Sequence, residues 1–510
     1  MWNKESLHDL LSNKMRDYQF IVVGNREPYI HRRVNGTIQC LLPASGVATA
    51  LDPIMQACGG TWVAHGSGDA DRSVVNHRNR IRVPPDDPKY TLRRVWLTPE
   101  QEEGYYYGTA NGCLWPLCHI AFTRPTFDSR NWQVYREVNE LFAKAILDEV
   151  GSKPTFVFIQ DYHFGLLPRI LKSANSKLVV AQFWHIPWPN RETFRALPWK
   201  EELLDGLLAN DLLGFQLRYH CQNFLDTVDR AVEAKVDHES SQVIRAGHST
   251  LVRPFPISID FDQHSVRAGS DSVRVEMQRW HDWLKLPKRW LGIGIDRIDY
   301  TKGIPERLRA IDLCLERNPK YRNELRFLQV GVPSRTNIKA YRCLDQEIDR
   351  LVDQINTKWQ TSHWAPITYL KQHISQIELT ALHRLADFCI VSSIHDGMNL
   401  VAKEYIASQC DNRGALILSR FTGAARELAD ALLVNPFSDD EIADAIHHAL
   451  SMPHSEREGR MLRMRDAVGS NNIYRWAGKI ISSLLRLDKE SIPSWHCGHK
   501  NGIRLPSTPT

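Results

Sequence analysis

An α/β fold of two Rossmann-like domains facing a central cleft is what the sequence predicts, and three observations predict it. From residue 18 onward, short apolar runs alternate with longer amphipathic segments, the pattern of βα units around a parallel sheet. The series stops and then restarts beyond Pro287. At 510 residues the chain is also long enough for two or three domains of about 150 residues, each with its own core.

The first strand is read over Phe20–Val23, ending at Gly24, Asn25 and Arg26. Thr155–Ile159 follows, stopping at Gln160-Asp161-Tyr162-His163, and then Lys177–Trp184, stopping at His185-Ile186-Pro187. The segment Trp132–Val150 places Tyr135, Val138, Phe142, Ala145 and Ile146 on one helical face, with Gly151 as its C-terminal stop. The second series comprises Trp290–Ile295, Leu325–Val330, Phe388–Val391 and Ala415–Leu418. The two series join near Val252–Asp260, and Ser438-Asp439-Asp440-Glu441 reads as a capping box opening a helix over Ile442–Leu450. Residues 1–260 are therefore assigned to an N-terminal domain, 261–487 to a C-terminal domain ending in a helix, and 488–510 to a flexible tail.

Hydrophobic residues at 43% and charged residues at 24% are ordinary soluble values, which excludes a disordered or fibrous chain. Lys+Arg 64 against Asp+Glu 59 gives +5, with the basic residues scattered, so nucleic acid is not expected as a partner. No stretch approaches the roughly 18 apolar residues of a membrane span, and the N-terminus lacks a signal-peptide core. A cytoplasmic location without membrane contact is the expectation. The ten cysteines form no C-x-x-C pair and read as reduced, mostly buried thiols. Two metal-like patterns, Asp69-Ala70-Asp71 and His496-Cys497-Gly498-His499, lie in a Gly-Ser-Gly loop and in the tail, and both read as non-metal segments.

Two loops carry the strongest chemical signal. In Gly294-Ile-Asp-Arg297-Ile-Asp-Tyr-Thr-Lys302-Gly303-Ile-Pro305 a strand runs into a loop with two cations, and Pro305 opens a helix. Arg297, Lys302 and the helix amides would surround an anion such as a diphosphate, the alternative being a solvated surface loop. In His395-Asp396-Gly397-Met398-Asn399-Leu400-Val-Ala-Lys403-Glu404, the carboxylates at the two ends can accept sugar hydroxyls, Asp396 from a hexose and Glu404 from a ribose. Glu404 paired with a surface cation is the competing reading. Arg26, Asp161 and His185 each follow a strand, although a histidine there is more often a hydrogen-bonded core residue than a catalyst.

Taken in order, several motifs resemble the trehalose-6-phosphate synthase family of retaining glycosyltransferases over nearly the whole chain. They are Asn25-Arg26, Tyr105-Tyr-Tyr-Gly108 with Leu114-Trp115-Pro116, Asp161-Tyr-His163, His185-Ile-Pro187, Arg297 to Gly303, Asp396 to Glu404, and Phe421-Thr-Gly-Ala-Ala425. The resemblance implies a GT-B fold, with a nucleotide sugar, usually UDP-glucose, on the C-terminal domain and glucose 6-phosphate on the N-terminal domain. It implies that Arg297 and Lys302 hold the donor diphosphate, with Gly46 beside it. Asp161 and His185 would flank the transferring glucosyl, and Asp396, Gly397, Met398, Asn399, Leu400 and Glu404 the donor sugar and nucleoside. Arg26, Trp62, Tyr106, Trp115 and Arg335 would bind the acceptor and its phosphate. It implies no metal and no cofactor beyond the nucleotide co-substrate, and it is compatible with a homo-oligomer.

The chain also departs from that pattern. Ser45-Gly46 stands where two glycines are common, Gln160 where histidine is usual, Trp188 where phenylalanine is, and His395 where arginine is frequent; His65-Gly66 follows Trp62 where a second tryptophan is common. Transfer to another phosphorylated acceptor, glycerol 3-phosphate or a cyclitol phosphate, is therefore an alternative, as is a non-catalytic sugar-nucleotide-binding regulator. The chain has no room for the phosphatase domain that some relatives fuse at the C-terminus, so dephosphorylation of the product is expected to fall to a separate enzyme.

Overall fold

The computed structural model describes residues 2–42, 46–285 and 290–490. The tail expected over 488–510, together with the histidines and cysteine at 496–499, lies almost wholly outside the described residues.

The first lobe contributes twelve strands: β1 (Gln19–Arg26), β2 (Ile30–Val34), β3 (Thr37–Leu41), β4 (Thr61–His65), β5 (Arg80–Val83), β6 (Tyr90–Val95), β7 (Thr155–Gln160), β8 (Val179–Trp184), β9 (Leu212–Phe215), β10 (Lys235–Asp237), β11 (Gln242–Arg245) and β12 (His248–Pro254). Ten of them form one sheet in the order β10-β11-β12-β9-β8-β7-β1-β4-β6-β5, and β2 and β3 make a separate hairpin. The sheet is parallel from β12 through β6, as the βα pattern predicts. Its edges are antiparallel, which the sequence reading missed, because short polar strands such as Lys235–Asp237 carry no apolar run to read.

The second lobe contributes β13 (Trp290–Arg297), β14 (Leu325–Val332), β15 (Ile367–Leu370), β16 (Phe388–Val391), β17 (Ala415–Ser419) and β18 (Leu432–Val434). These form an all-parallel sheet ordered β15-β14-β13-β16-β17-β18. In each lobe the strand order reverses beside the first strand, at β1/β7 and at β13/β16. Ligands of open α/β sheets lie outside the carboxyl ends of strands at such switch points. Arg26 and Asp161 end up at one of them, and the loops of Arg297 and Asp396 at the other.

Local signals set most helices. Helix Ser129–Leu147 is capped by the Asp128 carboxylate, which accepts from the Arg130 and Asn131 amides, and it buries Tyr135, Val138, Phe142, Ala145 and Ile146. It ends at Leu147 with Asp148 as cap, so Gly151 is not its stop. Ser438 caps helix Asp439–Ser451 by accepting from the Glu441 amide, but the Glu441 carboxylate takes the Asn435 amide at 2.9 Å, leaving the capping box half made. The last helix, Ile473–Glu490, packs on the first lobe, against helices Lys4–Lys14 and Gly46–Cys58 and strand β8. Just before it, Asn472 donates to the Trp2 carbonyl at 2.6 Å, and Trp476 within it donates to Phe255 O at 3.0 Å.

Candidate active site

A cavity of about 410 Å³ opens between the lobes. The first lobe lines it with Arg26, Trp62, Tyr106, Trp115, Asp161 and His185. The second lines it with Arg297, Lys302, Arg335, Asp396, Met398, Asn399, Leu400 and Glu404. Of the sequence-selected residues, Gly397 is not on the wall: a Cβ there would lie 2.1 Å from the His185 carbonyl oxygen, so glycine is what lets this loop touch the opposite lobe. Gly46 begins the helix Gly46–Cys58, whose Val47, Ala48, Thr49 and Leu51 reach the cavity, while Ser45 lies outside the described residues.

On the second lobe, β13 delivers Arg297 at its end and Asp299 caps the short turn Tyr300–Lys302. Gly303 (φ +61) and Pro305 then start helix Ile304–Arg317. The Lys302 ammonium donates to Asp396 at 2.5 Å, and Asp396 also accepts from the Ser393 hydroxyl (3.3 Å) and the Asn399 amide (3.2 Å). Burial would raise the Asp396 carboxyl, but Lys302 keeps it below the ordinary range. Underneath, the buried Arg307 ties the two loops together through Asp296 (2.8 Å), Ser392 (3.0 Å) and Gln329 (3.0 Å).

Asp299 organises the cations. It accepts from Arg335 at 3.2 Å and from the Tyr341 hydroxyl at 3.2 Å, and it lies 3.6 Å from Arg297. Burial opposes its charge, but Arg335, Arg297 and Lys302 hold it at about 2. Sequence reasoning passed over both Asp299 and Tyr341. The available signal was an acid two residues beyond Arg297 in a segment otherwise read only for its cations. Arg335 reaches across the cleft, 3.4 Å from the Tyr162 hydroxyl and 4.1 Å above the Trp115 ring, which Arg297 also faces at 5.3 Å.

On the first lobe, Glu103–Leu114 is a π-helix that runs into helix Trp115–His119. Wide turns of this kind gather at functional sites, and here Tyr106 and Trp115 both face the cavity while Tyr105 turns inward and donates to Asn25 at 3.1 Å. Arg26 donates to the Tyr106 hydroxyl at 3.1 Å. Burial would raise that phenol, yet Arg26, Arg335 and Arg297 outweigh it and pull it down to about 7, the mark of uncompensated positive charge.

Asp161 follows β7 with φ +71 and accepts the His185 amide at 3.1 Å; burial pushes its carboxyl up to about 7. The His185 ring sits 2.9 Å from the Gln160 side-chain oxygen, and burial takes it down to about 3, so the imidazole is neutral. Burial likewise raises Glu404 to about 7, against the pull of Arg267. Asp161, Arg335 (φ +51) and Asn399 (φ +78) are three non-glycine residues in left-handed backbone that line the same cavity from the two lobes, the kind of strain that clusters at functional sites.

The remaining sequence signals fall elsewhere. Asp71 is 2.8 Å from Arg94 and Asp69 accepts the Arg33 amide at 3.0 Å, so both carboxylates of the D-x-D pattern are engaged by protein groups. His395 donates through Nδ1 to the His119 carbonyl at 2.8 Å, a contact between the lobes. Trp188 is core, its indole donating to Thr227 at 3.2 Å.

The model of the glycosyltransferase family 20 matches residues 18–486. A bifunctional trehalose-6-phosphate synthase/phosphatase of Thermoproteus tenax is 36% identical over 92% of this chain, and the match spans 63% of that protein. The chain thus covers under two thirds of that longer relative. A trehalose-6-phosphate synthase of Mycolicibacterium vanbaalenii is 35% identical over 91% of this chain and 95% of its own length. Among solved structures, a UDP-forming α,α-trehalose-phosphate synthase from Burkholderia xenovorans in complex with glucose-6-phosphate superposes with a TM-score of 0.82 at 30% identity, covering 91% of this chain and 100% of that one.

Proposed function

Because the chain belongs to glycosyltransferase family 20, we propose that it transfers glucose, with retention, from UDP-glucose to glucose 6-phosphate, giving trehalose 6-phosphate and UDP. The observation that carries this reading is the distribution of charge in one cavity: Arg297 and Lys302 at the β13/β16 switch point, and Arg26 and Arg335 beside Tyr106 and Trp115. Cations from both lobes converging on one cavity suit a donor diphosphate and an acceptor phosphate held at the same time.

In this reading Arg297 and Lys302 hold the diphosphate, whose negative charge grows as the glucosyl C1–O bond breaks and its electron pair moves onto oxygen. The first turn of helix Gly46–Cys58 lines the same cavity through Val47, Ala48 and Thr49. Asp396, Met398 and Asn399 bind the donor sugar, and Leu400 and Glu404 the nucleoside. The acceptor hydroxyl attacks C1 from the face the diphosphate leaves, and its proton passes to a diphosphate oxygen. His185, neutral at any working pH, acts as a hydrogen-bonding group and not as an acid, and Asp161 orients it through its backbone amide. Trp62 and Trp115 have buried indole nitrogens without partners among the described residues, and with Arg26, Tyr106 and Arg335 they form the acceptor wall.

Among the described residues no helix is long and apolar enough to cross a membrane, and nine cysteines are free thiols, which supports work in the cytoplasm. The product retains the acceptor phosphate, so a phosphatase reaction would consume it. An assay of UDP-, GDP- and ADP-glucose against glucose 6-phosphate, glycerol 3-phosphate and water, with the product's anomeric configuration read by NMR, tests the proposal. A preference for glycerol 3-phosphate would overturn the acceptor, and no transfer from any donor would overturn the reaction.

A further inference from the structure

Behind Arg26 lies a group of buried charges that the reaction above does not use. Arg94, Asp71 and Glu27 are 0%, 0% and 1% exposed. The Arg94 guanidinium donates to Glu27 at 2.7 Å and to the Tyr29 carbonyl at 3.0 Å, meets His31 Nδ1 at 2.9 Å, and lies 2.8 Å from the Asp71 carboxylate. The carboxyls reach further. Glu27 accepts the Ser67 amide at 2.8 Å, and Asp71 accepts the His31 amide at 2.8 Å and the Gly68 amide at 2.6 Å. One side chain from β6 thereby fixes the segment that follows β1 and the loop that follows β4.

Those two segments frame Arg26. The β1–β4 register slips between Gly24 and Arg26, which bulges Asn25 and aims Arg26 into the cavity, and the next residue in the chain is the clamped Glu27. We propose that Arg94, Glu27 and Asp71 form a buried clamp that positions Arg26 against the phosphate of the acceptor, an inference that rests on the acceptor role given to Arg26 above. Among the described residues, Arg26 has one polar side-chain partner, the Tyr106 hydroxyl, so its aim depends on its backbone.

The clamp sets two carboxyls against one guanidinium. Burial and a hydrogen bond to Asp71 hold the Glu27 proton until about pH 8. One proton between the two carboxyls leaves one negative charge facing Arg94, and losing it adds a second in a site closed to water. The other titratable groups around the clamp are His31 and His65, both lowered by burial, and the Cys40 thiol, raised by burial and also within reach of Asp86. Arg26 is the adjacent cation. The clamp therefore loosens as pH rises through about 8, and acceptor binding weakens with it while donor binding does not.

The test is acceptor KM and donor KM for the full chain at pH about 7.5 and about 9.5, a range in which the phosphate of glucose 6-phosphate is already dianionic. The wild-type acceptor KM is expected to rise roughly tenfold while the donor KM changes by less than about twofold. In Glu27→Gln, which keeps the shape but cannot ionise, the acceptor ratio should fall to about twofold, any remainder belonging to the Tyr106 phenol. A flat wild-type acceptor KM, or a Glu27→Gln profile that superposes on wild type, overturns the clamp. Absence of trehalose 6-phosphate at every pH would instead overturn the function on which it rests.

Discussion

Replacing Lys302 with alanine isolates the leaving-group electrostatics. Lys302 is 9% exposed, and its ammonium is held at 2.5 Å from an Asp396 carboxylate that is itself fixed by Ser393 and Asn399. The ammonium therefore needs almost no reorganisation to meet charge appearing on the diphosphate, and little water competes for it. Loss of one such preorganised group costs about 10² to 10³ in kcat, or about 3–4 kcal/mol. The arginine nearby offers an internal scale: the Arg297 side chain is 35% exposed, so solvent screens it and Arg297→Ala should cost less than Lys302→Ala. Lys302→Ala also strips Asp396 of the cation that offsets its burial, so its carboxyl moves up and donor KM rises as well. UDP release measured with both substrates varied, alongside a melting curve to show that the variant is folded, gives kcat and both KM values. A folded Lys302→Ala with kcat within about threefold of wild type would refute the assignment, since no preorganised charge could be so dispensable.

Three further outcomes follow from the geometry. Arg335→Lys keeps the charge but loses the fork that joins Asp299 and Tyr341 on one nitrogen to Tyr162 on the other, and the plane that stacks on Trp115, so acceptor KM should rise about tenfold or more with donor KM nearly constant, as initial rates would show. Gly397→Ala sets a methyl against the His185 carbonyl and wedges the lobes, lowering kcat by about ten- to a hundredfold with little change in melting temperature; wild-type turnover would remove the interlobe contact from the mechanism. The Glu404 carboxyl, raised from 4.5 to about 7, accepts both ribose hydroxyls only when ionised, so donor KM should climb as pH falls below about 7 and Glu404→Gln should flatten that limb. The same raised value means its contribution to stability is full below about pH 4.5 and is lost as pH rises through about 7, so the wild type should lose melting temperature over that window relative to Glu404→Gln.

What the sequence determined by itself is what neighbouring residues can encode. Apolar runs of four to eight residues gave β1, β7, β8, β13, β14, β16 and β17, while the parallel strands β4, β6, β9, β12, β15 and β18 went unread, and Pro305 marked a helix start. The polar residues at or after the ends of β1, β7, β8, β13 and β16 gave many of the polar groups on the cavity wall, because open parallel sheets expose those ends whatever the rest of the chain does. What the tertiary structure alone decided involves partners far apart in the chain. Asp299 gathers Arg297, Arg335 and Tyr341, Gly397 meets the His185 carbonyl, Arg335 stacks on Trp115, and Arg94 binds Glu27 and Asp71. Single-residue pattern carries no trace of such pairs: the free energy of a buried charge depends on which opposite charge the fold brings within about 3 Å of it, and that choice is made by packing rather than by periodicity.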